Sequence, residues 1–88
     1  MTRAAKIRQR LLELAAADKL ADVSRMPPAR CHQLGGNLDE QFAVDISANE
    51  RLVFRVDHDP IPRKADGGID LSEVRAVIVL RIEDYHDR

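Results

Sequence analysis

The stretch Gln41-Phe42-Ala43-Val44-Asp45-Ile46-Ser47-Ala48-Asn49-Glu50-Arg51-Leu52-Val53-Phe54-Arg55-Val56-Asp57 decides the fold. Apolar and polar residues alternate on both sides of a polar tetrad. Phe42, Val44 and Ile46 share one face, with Gln41, Ala43 and Asp45 on the other; beyond the tetrad, Leu52, Phe54 and Val56 oppose Arg51, Val53 and Arg55. A period of two is the signature of a half-buried strand. Ser47-Ala48-Asn49-Glu50 has the length of a hairpin connection, so the stretch reads as two antiparallel strands with one apolar face turned to a core.

Outward from the hairpin, Cys31 to Leu34 reads as a further short strand and Gly35-Gly36-Asn37 as the turn after it. Pro27-Pro28 cannot continue a helix and marks where the period changes. Upstream, Ile7, Leu11, Leu14 and Ala15 recur at helical spacing from Arg3 to about Asp18, while Arg3, Lys6, Arg10 and Glu13 take other angles. Thr2 is placed to cap this helix, and Leu20 to Ser24 forms a second short turn. Downstream, His58 to Glu73 carries Pro60, Pro62 and Gly67-Gly68 and reads as a mobile loop or an insertion used for contacts. Val74 to Tyr85 is the longest strand, apolar on both faces at its centre, as an interior strand would be. The expected fold is α+β: an N-terminal helix or helices (residues 3–24) packed on a twisted, four-stranded, mainly antiparallel sheet (residues 31–86), in one domain spanning residues 1–88.

Composition agrees with that size. Of 88 residues, 44% are hydrophobic and only 3% aromatic, so the core must be aliphatic. A chain this short buries roughly 60–70% of its unfolded surface, too little for a multi-domain enzyme with an enclosed pocket. The net charge of -1 does not suggest a protein that coats nucleic acid. Its distribution is uneven, with seven Lys/Arg against three acids in residues 1–30 and seven against twelve in residues 31–88, that is +4 and -5. That asymmetry fits either a dipolar surface or an ordinary solvated helix face. One cysteine, Cys31, excludes an intrachain disulfide and agrees with a reducing cytoplasm. The longest aliphatic run, Ala76 to Leu80, is too short to cross a bilayer, so no membrane association is expected.

Functional side-chain types concentrate at the C-terminus, where Glu83-Asp84-Tyr85-His86 closes the last strand. His32 lies on the first short strand, and Arg51 and Arg55 lie four apart on the non-core face of a central one. Together these are the parts for metal-independent RNA cleavage: a base for the 2′-OH, a cation for the phosphorane and an acid for the departing 5′-oxygen. Histidine suits acid or base because its pKa is near neutrality. Asp57-His58-Asp59 offers metal-ligand atoms, but no helical His-x-x-x-His or Cys-x-x-Cys pair accompanies it, and no Gly-rich phosphate loop opens a helix. Neither a metal nor another cofactor is therefore expected.

Four segments in order, Pro27-Pro28-Ala29-Arg30-Cys31-His32-Gln33-Leu34-Gly35-Gly36, Gln41-Phe42-Ala43-Val44, Asn49-Glu50-Arg51-Leu52-Val53-Phe54 and Glu83-Asp84-Tyr85-His86, resemble the HigB branch of the RelE/ParE toxin superfamily, the plasmid maintenance system killer proteins. The resemblance implies a small microbial-RNase-like fold and a type II toxin that enters the ribosomal A site and cuts mRNA. It also implies a helix-turn-helix, HigA-like antitoxin, through which alone the toxin would reach operator DNA. Carried over residue by residue, it makes His32, Arg51, Asp84, Tyr85 and His86 candidate catalytic residues. Arg51 would meet the phosphate, His32 and His86 would serve as acid and base, Tyr85 would stack on or position a nucleotide, and Asp84 would orient groups or handle protons. Arg30 and Arg55 are the further candidate RNA contacts. Two other expectations stand beside this one. The acidic Asp39-Glu40 in the turn after the histidine strand suits a toxin-like module that binds its antitoxin or regulatory complex without cleaving. A ParE-like gyrase poison is the third, although its relatives generally lack the Asp-Tyr-His ending.

Overall fold

The computed structural model describes residues 1–38 and 40–85. Its elements are α1 (Arg3–Ala16), β1 (His32–Gln33), β2 (Gln41–Asp45), β3 (Glu50–Val56) and β4 (Val77–Asp84), with 3-10 turns at Leu20–Asp22, Gly36–Leu38 and Leu71–Glu73. The strands form one sheet in the order β1-β2-β3-β4, and each neighbouring pair is antiparallel. One helix and a four-stranded antiparallel sheet make the expected α+β arrangement.

The hairpin forms in the register its alternation dictates, with Phe42 opposite Phe54, Val44 opposite Leu52 and Asp45 opposite Arg51. The two phenylalanine rings stack with centroids 5.9 Å apart, an arrangement that contributes about 0.5–1.5 kcal/mol beyond its buried area. Around them Leu20, Val23, Val44, Leu52, Val56, Ile69 and Val74 complete the main core. The opposite face is not wholly polar. Ala43 and Val53 are fully buried there, covered by Leu34 with Leu38 packed alongside. The turn that brings these leucines over the sheet passes through Gly36 at φ +63°, a left-handed conformation in which a side chain would be strained.

Thr2 caps α1 as expected, its hydroxyl accepting the Ala5 N–H at 3.1 Å. Ile7 and Leu14 pack on the core. The helix is rolled relative to the expected stripe, because Leu11 is 39% exposed while Arg10 is only 5% exposed. The Arg10 Nε donates to the carbonyl of Asp45 at 2.7 Å, and its Nη1 reaches both carboxylate oxygens of Glu13 at 3.2 Å. A strand-end carbonyl needs a donor, and the guanidinium supplies one where a leucine would not.

The segments around the last strand differ from a plain loop followed by an interior strand. The loop after β3 is folded back on itself, with Arg63 bridging Ile69, the Asp70 N–H donating to Pro62 O at 2.9 Å, and the Arg75 N–H donating to His58 Nε2 at 2.9 Å. Its Ile69 and Val74 enter the core, so apolar anchors outweigh the proline and glycine content. The last strand begins at Val77, not Val74, and is an edge strand rather than an interior one. Among the described residues no strand pairs with its outer edge, and Val79, Leu80 and Ile82 are 45%, 38% and 38% exposed. An apolar run signals burial on both faces only where other elements cover both, and here Val77 packs on the core while Val79, Leu80 and Ile82 stay partly open. The register also slips within β4. Val53 faces Arg81 and Phe54 faces Val79, which leaves Leu80 as the bulged residue.

Candidate functional site

Alternation and register place Asp45, Arg51 and Glu83 in one row across β2, β3 and β4, on the face opposite the main core. Arg51 is the middle member, and its side chain is 8% exposed. Its Nη2 donates to Glu83 Oε1 at 2.6 Å, while its Nε is buried without a hydrogen-bond partner. Arg81 closes the row from β4, its Nε donating to Glu83 Oε2 at 2.8 Å.

Tyr85 follows directly on β4 and is held there by its N–H, which donates to Asn49 O at 2.7 Å. Its ring lies under the Arg51 guanidinium, 5.0 Å from Cζ to centroid, a cation–π contact. The phenol donates to Asp45 Oδ1 at 2.6 Å and accepts from Arg30 Nη2 at 3.2 Å. Arg30 in turn donates from Nε to Asp45 Oδ2 at 2.7 Å. Its backbone adopts φ +48°, uncommon for a residue with a side chain.

Cations and carboxylates therefore alternate through Arg30, Asp45, Arg51, Glu83 and Arg81, with the only tyrosine of the chain at their centre. The Arg51 hydrogen bond holds the Glu83 carboxyl below its ordinary 4.5, against an opposing effect of burial and with help from Arg81. Burial first, then the bond to Asp45, raises the Tyr85 phenol above its ordinary 10.0. Asp45 likewise strengthens the hold of Arg30 on its proton.

His32 shares this face. It lies opposite Ala43, which lies opposite Val53, which lies opposite Arg81. Its Nδ1 is 2.8 Å from the carbonyl of Arg30. A carbonyl only accepts, so Nδ1 is the donor in this contact, and it is the neutral ring that presents a lone pair at Nε2. The ring stands two strand spacings from β3, roughly 10 Å, so it borders the arginine cluster without touching Arg51.

Of the residues expected from the sequence, Arg30, Arg51 and Tyr85 thus converge, with His32 joined to them through the Arg30 carbonyl. Asp84 ends β4 opposite Glu50 and alternates away from the Arg51 row. Arg55 does not join the cluster: it lies opposite Gln41 at the far end of the hairpin, and its Nη1 donates to Val56 O at 3.3 Å. His86 lies outside the described residues. Asp45 and Arg81 carry no site motif in the sequence, and Glu83 enters only within the terminal tetrapeptide. The signal for Asp45 was present in the hairpin register, which sets an acid directly opposite Arg51.

No family model, curated protein or solved structure matches this chain. Among the described residues no group of three His, Cys, Asp or Glu is gathered as a metal site would need. No helix among them is long and apolar enough to cross a membrane.

Proposed function

We propose that this chain is the toxin component of a type II toxin–antitoxin system, with a RelE/HigB-like fold and a ribosome-dependent mRNA endonuclease activity. The observation that supports this reading is the convergence of Arg30, Arg51 and Tyr85, from three distant segments, into one cluster beside His32. In the reaction, His32 Nε2 takes the proton of a ribose 2′-OH as its oxygen attacks phosphorus. The P–O5′ bond breaks, leaving a 2′,3′-cyclic phosphate, and O5′ receives a proton from the acid, the role assigned to His86. Arg51 and Arg30 offset the charge on the phosphorane, and Tyr85 stacks on or positions a nucleotide. Such a protein acts in the cytoplasm, on ribosomes, and is neutralised by a helix-turn-helix antitoxin.

The test is expression without the partner. Growth arrest with cuts inside translated mRNA is expected, together with loss of both in Arg51→Ala and His86→Ala. Arrest that persists in both variants would remove the assigned site.

A second reading has its own support. Arg51 and Arg30 are already paired with Glu83 and Asp45, and cations so neutralised attract phosphate less. On this reading the chain binds an antitoxin or regulatory complex without cleaving. Expression is then harmless, and a helix-turn-helix antitoxin expressed with it co-purifies.

A further inference from the structure

We propose that Asp45 is the positioning residue of the Arg30, Arg51 and Tyr85 cluster, its one carboxylate holding the phenol through Oδ1 while the Arg30 guanidinium forks over both oxygens, Nε on Oδ2 at 2.7 Å and Nη2 on Oδ1 at 3.3 Å. The carboxylate has a fixed origin. The Asp45 N–H donates to Ala29 O at 2.7 Å, and the Asp45 carbonyl receives Arg10 Nε at 2.7 Å. The residue is therefore pinned at the end of β2 by the segment before β1 and by α1, two elements that do not depend on Tyr85. From that origin it makes two short bonds, 2.6 Å to the phenol and 2.7 Å to Arg30 Nε, and its side chain is 17% exposed. Charged acceptors make the stronger hydrogen bonds.

Tyr85 needs such a hold. It stands beyond the end of β4, and its backbone is tied through the N–H to Asn49 O. Rotation about its side-chain bonds would carry the ring away from Arg51. The Asp45 bond at the far end of the ring prevents that and keeps the Arg51 guanidinium over its face.

This role rests on the proposed reaction only for its catalytic consequence, since displacing a positioned group by about 1 Å costs on the order of a hundredfold in rate. Its structural part is read directly, because Tyr85 is the only tyrosine and the chain has no tryptophan. Phenolate absorbance during an alkaline titration of the full chain therefore reports on this ring alone. In the wild type the midpoint lies above 10.0. In Asp45→Asn, which keeps the size and removes the charge, the midpoint moves down, and in Asp45→Ala it moves down further while the near-ultraviolet tyrosine dichroism weakens. Arg30→Gln, at a largely exposed position, moves the midpoint up, because a cation that favours phenolate has gone. Far-ultraviolet dichroism confirms folding in each variant. An unmoved midpoint in the folded Asp45 variants overturns the proposal; should they not fold, a falling midpoint in Arg30→Gln does so. Cleavage of translated mRNA by Asp45→Asn falls by roughly tenfold to a hundredfold, and undiminished cleavage also overturns the positioning role. A wild type that cuts no RNA while the midpoints move as stated removes the ribonuclease reading and leaves the role of Asp45 intact.

Discussion

At Arg51 a full charge sits on a side chain only 8% exposed, between two cross-strand carboxylate positions. Taking a guanidinium out of water is costly unless its counter-ion stays, so the partners are not equivalent under substitution. Glu83→Ala leaves the cation behind uncompensated and is expected to lower stability by about 1–3 kcal/mol. Arg51→Met removes the charge itself and fills the space, and costs less; equilibrium urea unfolding ranks the two, and the reverse order would show that the ion pair does not govern this site. Cys31 gives a second residue-level expectation. Burial pushes its thiol up to about 11, so at pH 8 roughly one molecule in a thousand carries the reactive thiolate. Iodoacetamide labelling followed by mass spectrometry is therefore slow on the folded protein and rapid in denaturant. The individual residues of the cluster were legible in the sequence as chemistry, namely arginine, tyrosine and histidine near strand ends. The hairpin register sets Asp45 opposite Arg51, but its contacts with Arg30 and Tyr85 come from segments fifteen and forty residues away, which the local pattern does not show.

Among the elements, the hairpin and β4 differ most. Both are rich in aliphatics, but β3 has strands on both sides and β4 has one. Phe54 is completely buried and stacked on Phe42, so Phe54→Ala is expected to cost about 3–5 kcal/mol. For Leu80→Lys, at the bulge of the edge strand, a change within about 0.5 kcal/mol is expected. Denaturation midpoints of the two variants measure the contrast, and a large loss in Leu80→Lys would place β4 in a buried setting instead. The hairpin was readable because alternation, turn length and register all act within a few residues of one another. The apolar run of β4 reads as interior because its composition reports what could be covered, whereas the cover belongs to other parts of the fold. The helix shows the same limit. Its period and its Thr2 cap were legible, but its roll was decided by Arg10 reaching the Asp45 carbonyl, thirty-five residues away.

For the whole molecule, the sequence divides into a basic third and an acidic remainder, yet the fold does not keep them apart. Arg3 pairs with Glu50 at 2.9 Å and Arg30 with Asp45 at 2.7 Å, each joining the first thirty residues to the rest. The ion pairs make global stability depend on acid. Because Arg51 holds the folded-state Glu83 below 4.5, its contribution is fully present above that value and is lost as pH falls through the lower folded value. Thermal melts from neutral pH into the acid range should show the midpoint declining below pH 4.5, and more weakly in Glu83→Gln. An equal decline in both proteins would assign the acid sensitivity to other carboxylates.

Local physics was enough to settle the class of fold. The 3.6 and 2.0 periods, the Thr2 cap, the prolines that end the helical part and the hairpin between Gln41 and Asp57 each depend on residues that are neighbours in the chain, so one sequence determined an α+β domain built on an antiparallel hairpin. Only the tertiary structure decided the edge position of β4, the packed course of the loop before it, and the assembly of Arg30, Asp45, Arg51, Glu83 and Tyr85. Those features depend on strand order and cross-strand register over separations of up to fifty-five residues. At such separations the arrangement is set by which surfaces remain to be buried and which charges remain to be paired.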